Sequence, residues 1–136
     1  MVGVECWPAT KETESRLSVM ETKMLRWMAG VTRLDRIRNE AIRQKFGVTP
    51  IADKMREARL RWHGHVLRGK EDSVRKIVPN FEVSRKRPRG RPKQRRAYAL
   101  HKDFKVAGVH PDLARDRERW RRGTRKPDPA MKRDKR

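Results

Sequence analysis

The feature that most restricts how this chain can fold is a run of residues that cannot enter a core. Residues 85–96 contain eight lysines and arginines, two prolines and no acidic residue. Like charges repel, and proline has no backbone N–H with which to complete a helix or a sheet. We therefore expect a basic linker over residues 81–95, with regular structure only on either side of it.

Charge is distributed unevenly around that linker. Residues 1–80 carry 17 basic and 10 acidic residues, whereas residues 81–136 carry 21 basic and 7 acidic residues. The first part has enough apolar residues for a modest core, and the second has few. The expected organisation is a helical domain over residues 1–80, the linker over 81–95, a short helical segment over 96–122 and a disordered basic tail over 123–136.

The apolar spacing predicts a mainly α fold, with a small three-helix bundle before the linker and two short, weaker helices after it. The first helix is expected over residues 11–28, with Thr10 as its N-cap and Gly30 at its end. The second is expected over residues 36–46, ended by Gly47.

The third helix has the clearest start signal. Thr49 precedes Pro50, which stands at the first helical position, where a missing N–H costs nothing. This helix is expected to end at Gly69. The two weaker helices are expected over residues 96–107 and 111–122.

Apolar side chains follow one face of each of the first three helices, and we expect those faces to be buried. Trp62 is expected to be a core anchor of the third helix, and Gly64 is expected either to permit close helix approach or to relax the last turns of the helix. The face of the first helix is formed by Leu17, Met20, Met24, Leu25 and Met28.

A net charge of +21 points to a polyanionic partner, with nucleic acid as the first candidate and an anionic membrane surface as the second. No apolar run approaches the length of a bilayer span, which disfavours a membrane. The first residues have neither a basic start nor a long apolar stretch, so no secretory signal is expected. The single cysteine, Cys6, cannot form an internal disulfide, which favours a nuclear or cytoplasmic location.

The sharpest local motif is the Arg-Gly-Arg-Pro sequence formed by Arg89, Gly90, Arg91 and Pro92. It resembles the AT-hook, in which proline extends the backbone, glycine permits close approach and two arginines enter the narrow minor groove of A·T-rich DNA. The alternative is a basic linker that contacts phosphates without sequence preference. Both alternatives predict nucleic-acid binding.

A second basic group lies earlier in the chain. Arg36 and Arg43 are seven residues apart, which on one continuous helix places them on the same face. Together with Arg26, Arg33 and Arg38 they are candidates for phosphate contact. The full set of predicted nucleic-acid-binding residues is Arg33, Arg36, Arg38, Arg43, Arg85, Lys86, Arg87, Arg89, Gly90, Arg91, Pro92, Lys93, Arg95 and Arg96.

No catalytic site, metal site, cofactor or small-molecule substrate is predicted. His63 and His65 are two residues apart, which on a helix directs them to different sides, so structural roles are favoured over metal binding. Asp53 and Glu57 share a helix face, but the arginines around them favour a solvated network of ion pairs.

Several segments occur in an order that is typical of one family. They are Glu-Cys-Trp-Pro at 5–8, Met-Leu-Arg-Trp-Met-Ala-Gly-Val-Thr-Arg at 24–33, Asp-Arg-Ile-Arg-Asn at 35–39, Lys-Met-Arg-Glu at 54–57, Arg-Leu-Arg-Trp-His-Gly-His-Val at 59–66 and Arg-Gly-Arg-Pro-Lys at 89–93, followed by Asp116, Arg117, Trp120 and Arg121. In these segments the chain resembles the region after the polymerase domain of RTE-type non-LTR (LINE) retrotransposon reverse transcriptases.

The resemblance implies a segment that contacts template RNA or target DNA and that lacks the family's polymerase and endonuclease residues. Two positions depart from the family pattern: Arg96 stands where tryptophan is usual, and Phe104 where leucine is usual. The first departure is expected to loosen the helix after the linker. The expected function is therefore non-catalytic nucleic-acid binding. The alternative is a structural fragment that packs on a polymerase domain and has no independent function.

Overall fold

A computed structural model describes residues 10–74, 86, 89–92 and 96–129 of the chain. Within these ranges the chain is helical and forms no strand, which confirms the predicted mainly α fold. The α-helices are α1 (Lys11–Ala29), α2 (Asn39–Phe46), α3 (Ile51–Leu67), α4 (Arg96–Ala107) and α5 (Arg117–Thr124), and two 3-10 turns span Arg33–Asp35 and Pro111–Arg115.

The described residues fall into two compact units. The first, here the α1–α2 unit, contains residues 10–57 and 125–129. The second, here the Trp120 unit, contains the described residues of 58–124. Helix α3 contributes its beginning to the α1–α2 unit and the remainder to the Trp120 unit. The domain boundaries predicted near residues 80 and 95 lie outside the described residues.

Helix α1 begins and ends as its sequence signals predict. The Thr10 hydroxyl accepts a hydrogen bond from the backbone N–H of Thr13 at 3.2 Å, which satisfies one of the free donors of the first turn. Gly30 adopts the left-handed conformation at the C-cap, with φ of 66°. The helix is one residue longer than predicted, ending at Ala29.

The predicted burial of the apolar face of α1 is wrong for most of its residues. Leu17 is buried, but Met20, Met24 and Met28 are exposed. Helix α2 packs against α1, but on a neighbouring side, where Ser18 and Glu21 meet an arginine of α2. The methionines therefore remain in contact with solvent.

Helix α2 begins at Asn39, three residues later than predicted. Arg36 has a φ of 52°, a left-handed conformation that no α-helix can contain. Arg36 and Arg43 therefore do not share a helix, and the predicted basic face that joins them is wrong. The predicted C-cap is confirmed, because Gly47 ends α2 in a left-handed conformation.

The Trp120 unit is built around the indole of Trp120, which is 2% exposed. Its ring N–H donates to the backbone carbonyl of Leu60 on α3 at 3.0 Å. Leu60, Val109 and Ala114 complete the buried cluster, with Phe104 packed against it. The core anchor is thus Trp120 rather than Trp62, which is only partly buried.

Gly64 allows this packing. A Cβ atom built on Gly64 would overlap the indole nitrogen of Trp120 and would lie 2.7 Å from its Cδ1 and Cε2 atoms. The predicted close helix approach at Gly64 is therefore confirmed, and its partner is the tryptophan of α5.

Helix α4 has the predicted bounds and is joined to α3 by a buried ion pair. The Arg59 guanidinium donates to Asp103 through Nε at 2.8 Å and through Nη2 at 3.1 Å. Both side chains are 7% exposed. The prediction of a solvated ion-pair network is therefore wrong for Arg59. It is also wrong for Glu57, which is buried and accepts the backbone N–H of Lys126 at 3.0 Å.

The end of the described chain is more ordered than predicted. The expected helix over 111–122 is a 3-10 turn followed by α5, which extends through Thr124. Within the α1–α2 unit, the carboxylate of Asp128 accepts the backbone N–H of Thr49 at 2.9 Å, and the Thr49 hydroxyl donates to the carbonyl of Pro127. The prediction of a disordered tail is thus wrong for residues 123–129, and residues 130–136 lie outside the described residues.

The contact with Thr49 also affects the acidity of Asp128. The backbone N–H of Thr49 stabilises the ionised carboxylate and lowers the pKa of Asp128 from its ordinary value of 3.8. The ammonium of Lys54, 3.8 Å from the carboxylate, acts in the same direction.

Candidate nucleic-acid interface

The Arg-Gly-Arg-Pro motif is solvent-exposed. Arg89, Gly90, Arg91 and Pro92 are all described and all exposed, as is Lys86. Gly90 has a φ of 112°, a backbone conformation that is readily accessible only to glycine. The motif therefore combines a backbone that favours glycine with two arginines that are exposed to solvent. Of the remaining predicted residues, Arg85, Arg87, Lys93 and Arg95 lie outside the described residues, and Arg96 begins α4.

A second basic surface is formed by the segment between α1 and α2. Arg33, Arg36 and Arg38 are exposed, and none of the three forms an ion pair within the described parts of the chain. The acidic residue among them, Asp35, accepts the backbone N–H of Thr32 at 2.7 Å and its hydroxyl at 3.0 Å. The Asp35 carboxylate therefore stabilises the turn through Thr32 and does not pair with these three arginines.

Arg26 holds this segment against the end of α1. Its Nη2 atom donates to the carbonyl of Ile37 at 2.5 Å and to the side-chain oxygen of Asn39 at 3.0 Å, and Nη1 donates to the carbonyl of Thr32 at 3.3 Å. One guanidinium therefore contacts both ends of the segment. We call residues 32–39 the Arg26-bound loop.

Arg43 does not belong to the exposed set. Its guanidinium contacts the carboxylate of Glu21 at 3.1 Å and the hydroxyl of Ser18 at 3.2 Å, and its side chain is 15% exposed. These contacts hold α2 against α1. Arg43 is therefore placed as a structural residue, as is Arg26, while Arg33, Arg36 and Arg38 of the predicted group remain open to solvent.

Large apolar side chains are exposed beside these arginines. Trp27, in the last turn of α1, is 85% exposed, and Leu34, in the Arg26-bound loop, is 90% exposed. Sequence reasoning treated the end of α1 as part of a buried face and missed Trp27 as a surface residue. The sequence signal was the position of Trp27 directly after Arg26 and four residues after Lys23, because basic neighbours on the same helix indicate an exposed side.

Helix α5 contributes a basic surface that sequence reasoning did not include in the site. Only Trp120 and Thr124 of this helix are buried, so its arginines point outward. Arg119 pairs with Asp116, the residue before the helix, and Arg122 pairs with Glu118. Arg117 and Arg121, like Arg115 in the preceding turn, are exposed and lack an ion pair among the described residues. The sequence signal was the four-residue spacing of Trp120 and Thr124 within a run of arginines. This spacing buries one side of the helix and leaves the arginines exposed.

The two histidines of the third helix have separate ring partners. His63 lies 5.3 Å from the ring centroid of Phe104, whereas His65 lies 5.6 Å from that of Trp62. His63 thus contacts α4 through Phe104, and His65 contacts Trp62 within its own helix. The described residues contain no group of three side chains able to hold a metal ion. They also contain no helix with the length and hydropathy needed to cross a membrane.

Comparison with known proteins assigns no family or function to this chain. The sequence matches no protein-family model, and it matches neither a curated protein nor a solved structure.

Proposed function

We propose that this chain is a non-catalytic nucleic-acid-binding segment of the kind that follows the polymerase domain in RTE-type non-LTR retrotransposon reverse transcriptases. The ordered set of sequence segments supports the family resemblance. The exposed basic residues support binding of a polyanion. Most of these arginines belong to the same segments, and the structure adds that their side chains are exposed.

The observation that carries the binding proposal is a set of exposed arginines without acidic partners among the described residues. Such arginines occur in the Arg26-bound loop, in the Arg-Gly-Arg-Pro motif and around α5: Arg33, Arg36, Arg38, Arg89, Arg91, Arg115, Arg117 and Arg121. In a chain of net charge +21, these charges repel one another. A nucleic acid removes that repulsion and releases its own condensed counterions.

The test is the dependence of affinity on salt. If about four phosphates are neutralised, the logarithm of the association constant for duplex DNA should fall with the logarithm of salt concentration with a slope of about −3 to −5. Binding is measured by fluorescence anisotropy with labelled duplex DNA, single-stranded DNA and structured RNA. Affinity that is absent or independent of salt would contradict the proposal.

Variants of Arg89 and Arg91 separate the two alternatives for the motif. If they only contact phosphates, replacing both with alanine weakens binding to all duplexes and reduces the slope by about one to two. If they enter the minor groove, A·T-rich duplex loses more affinity than G·C-rich duplex. Replacing both with lysine keeps the charge but not the flat guanidinium. Arg16→Ala is a matched control, because Arg16 is exposed but is paired with Glu12 at 2.6 Å.

A second candidate function is supported by the exposed apolar side of α1. Met20, Met24 and Met28 lie along one side of the helix and are 48–62% exposed, as expected if this helix packs on a larger protein body. The segment would then be structural, with no independent role. Strong binding of an apolar fluorescent dye or self-association of the isolated chain, together with no measurable affinity for nucleic acid, would favour this candidate.

A further inference from the structure

Trp27 has an environment unlike that of an ordinary surface side chain. Its indole is 85% exposed, although tryptophan is among the side chains that gain most from leaving water. Single exposed apolar residues are common, but a tryptophan this exposed on a rigid helix presents a large flat surface to a ligand. Trp27 is held at the last turn of α1, where its carbonyl accepts the N–H of Gly30 at 3.1 Å.

Several cations lie near the end of α1, which carries this indole. Lys23 is four residues before Trp27 and therefore lies on the same side of α1. The Arg26-bound loop returns to the end of α1 through the three acceptors of Arg26, and it carries the exposed Arg33, Arg36 and Arg38. The acidic residue of the loop, Asp35, is occupied by Thr32.

An exposed indole together with nearby cations favours one class of ligand. An apolar partner protein would bury the indole but would leave the nearby cations without counter-charges, at a cost in desolvation. Duplex nucleic acid would neutralise the cations, but its bases are already stacked on each other. A single-stranded nucleic acid meets both requirements, because its phosphates pair with the cations and its unstacked bases can lie on the aromatic ring.

We propose that Trp27 is a stacking platform for an unpaired base of single-stranded nucleic acid, and that Arg33, Arg36 and Arg38 contact the adjacent phosphates. This inference rests on the proposed nucleic-acid-binding function and names the strand form that this surface takes. It also assigns a binding role to a residue outside the basic motif.

The experiment compares Trp27→Ala and Trp27→Phe with the unaltered chain on single-stranded and duplex oligonucleotides of equal length and at equal salt. Stacking contributes roughly 1–3 kcal/mol per base, so Trp27→Ala should weaken single-strand binding by about 5- to 150-fold. Duplex affinity should change less than about twofold. Trp27→Phe retains a ring and should recover most of the single-strand affinity.

The control variant is Val19→Ala. Val19 is also exposed on α1, at 54%, but it lies eight residues before Trp27, about 12 Å away along the helix axis. Helical content and melting temperature should be alike in the Trp27→Ala and Val19→Ala variants. Saturation with single strand should also quench part of the tryptophan fluorescence of the unaltered chain, and that part should be absent in Trp27→Phe.

The outcomes separate this inference from the function on which it rests. If the unaltered chain binds no nucleic acid, the proposed function fails and the inference fails with it. If it binds but Trp27→Ala retains its single-strand affinity, only the inference is overturned. The inference is also overturned if Trp27→Ala abolishes self-association and leaves single-strand affinity unchanged, because the indole is then part of a protein contact.

Discussion

Replacing Gly64 with alanine should destabilise the Trp120 unit, although alanine is the better helix former. In the middle of a helix, alanine is favoured over glycine by about 1 kcal/mol. Against this gain, the added methyl group would overlap the indole nitrogen of Trp120 and approach its Cδ1 and Cε2 atoms at 2.7 Å. The outcome depends on whether the indole can move.

The contacts of the indole indicate that it cannot move without breaking interactions that stabilise the Trp120 unit. Its N–H is hydrogen-bonded to the carbonyl of Leu60 at 3.0 Å, and its ring meets Phe104 edge-on at a centroid distance of 6.0 Å. Overpacking a core typically costs about 1–3 kcal/mol, and a lost buried hydrogen bond adds about 0.5–1.5 kcal/mol. After the gain in helix propensity, we expect Gly64→Ala to lower the free energy of unfolding by about 1–3 kcal/mol.

Urea denaturation followed by far-UV circular dichroism measures this change, and a double-mutant cycle assigns its cause. Trp120→Phe removes the indole nitrogen, which is the atom that the new methyl group would overlap. Gly64→Ala should therefore cost less in the Trp120→Phe background than in the unaltered chain. An equal cost in both backgrounds, or a more stable Gly64→Ala variant, would refute the proposed packing.

Three further predictions concern other contacts. Trp120→Ala should lower the free energy of unfolding by about 3–5 kcal/mol, because it empties a buried site, and Trp62→Ala should cost clearly less in the same urea titration. Asp103→Ala should cost about 3–5 kcal/mol by removing the carboxylate that accepts two hydrogen bonds from the buried Arg59, and an effect below about 1 kcal/mol would mean that water reaches the pair in solution. The pKa of Asp128 is lower in the folded state, so its stabilising effect is complete above its unfolded-state pKa and is lost as pH falls through the folded-state value. Asp128→Asn keeps an acceptor but does not titrate. Thermal melting between pH 5 and pH 2 should therefore show a smaller loss of stability in this variant than in the unaltered chain, and equal losses would contradict the assignment.

Local signals within the sequence account for several elements of the fold. Thr10 and Gly30 delimit α1 to within one residue, and Gly47 ends α2 as predicted. These positions are predictable because a cap depends on the backbone of the neighbouring four or five residues. The exposed Arg-Gly-Arg-Pro motif is predictable for a similar reason, since a run of cations cannot be buried in any fold.

Errors arose wherever a residue's partner is distant in the chain. Arg36 was placed in α2, but the contacts of Arg26 with the carbonyls of Thr32 and Ile37 organise the preceding loop in another way. Arg43 was assigned to a binding surface, but Glu21, 22 residues earlier, pairs with it. The spacing of arginines within one segment contains no information about such partners.

The tryptophans separate the information that is local in the sequence from the information that arises only when the chain folds. Amphipathic spacing identified helices around Trp27 and Trp62, because helical periodicity is a property of the local sequence. It could not say which apolar face is covered, since that depends on where the other elements of the unit lie. Trp120 is buried because Gly64, 56 residues earlier in the chain, leaves room for its ring. Trp27 is exposed because α2 packs on a different side of α1.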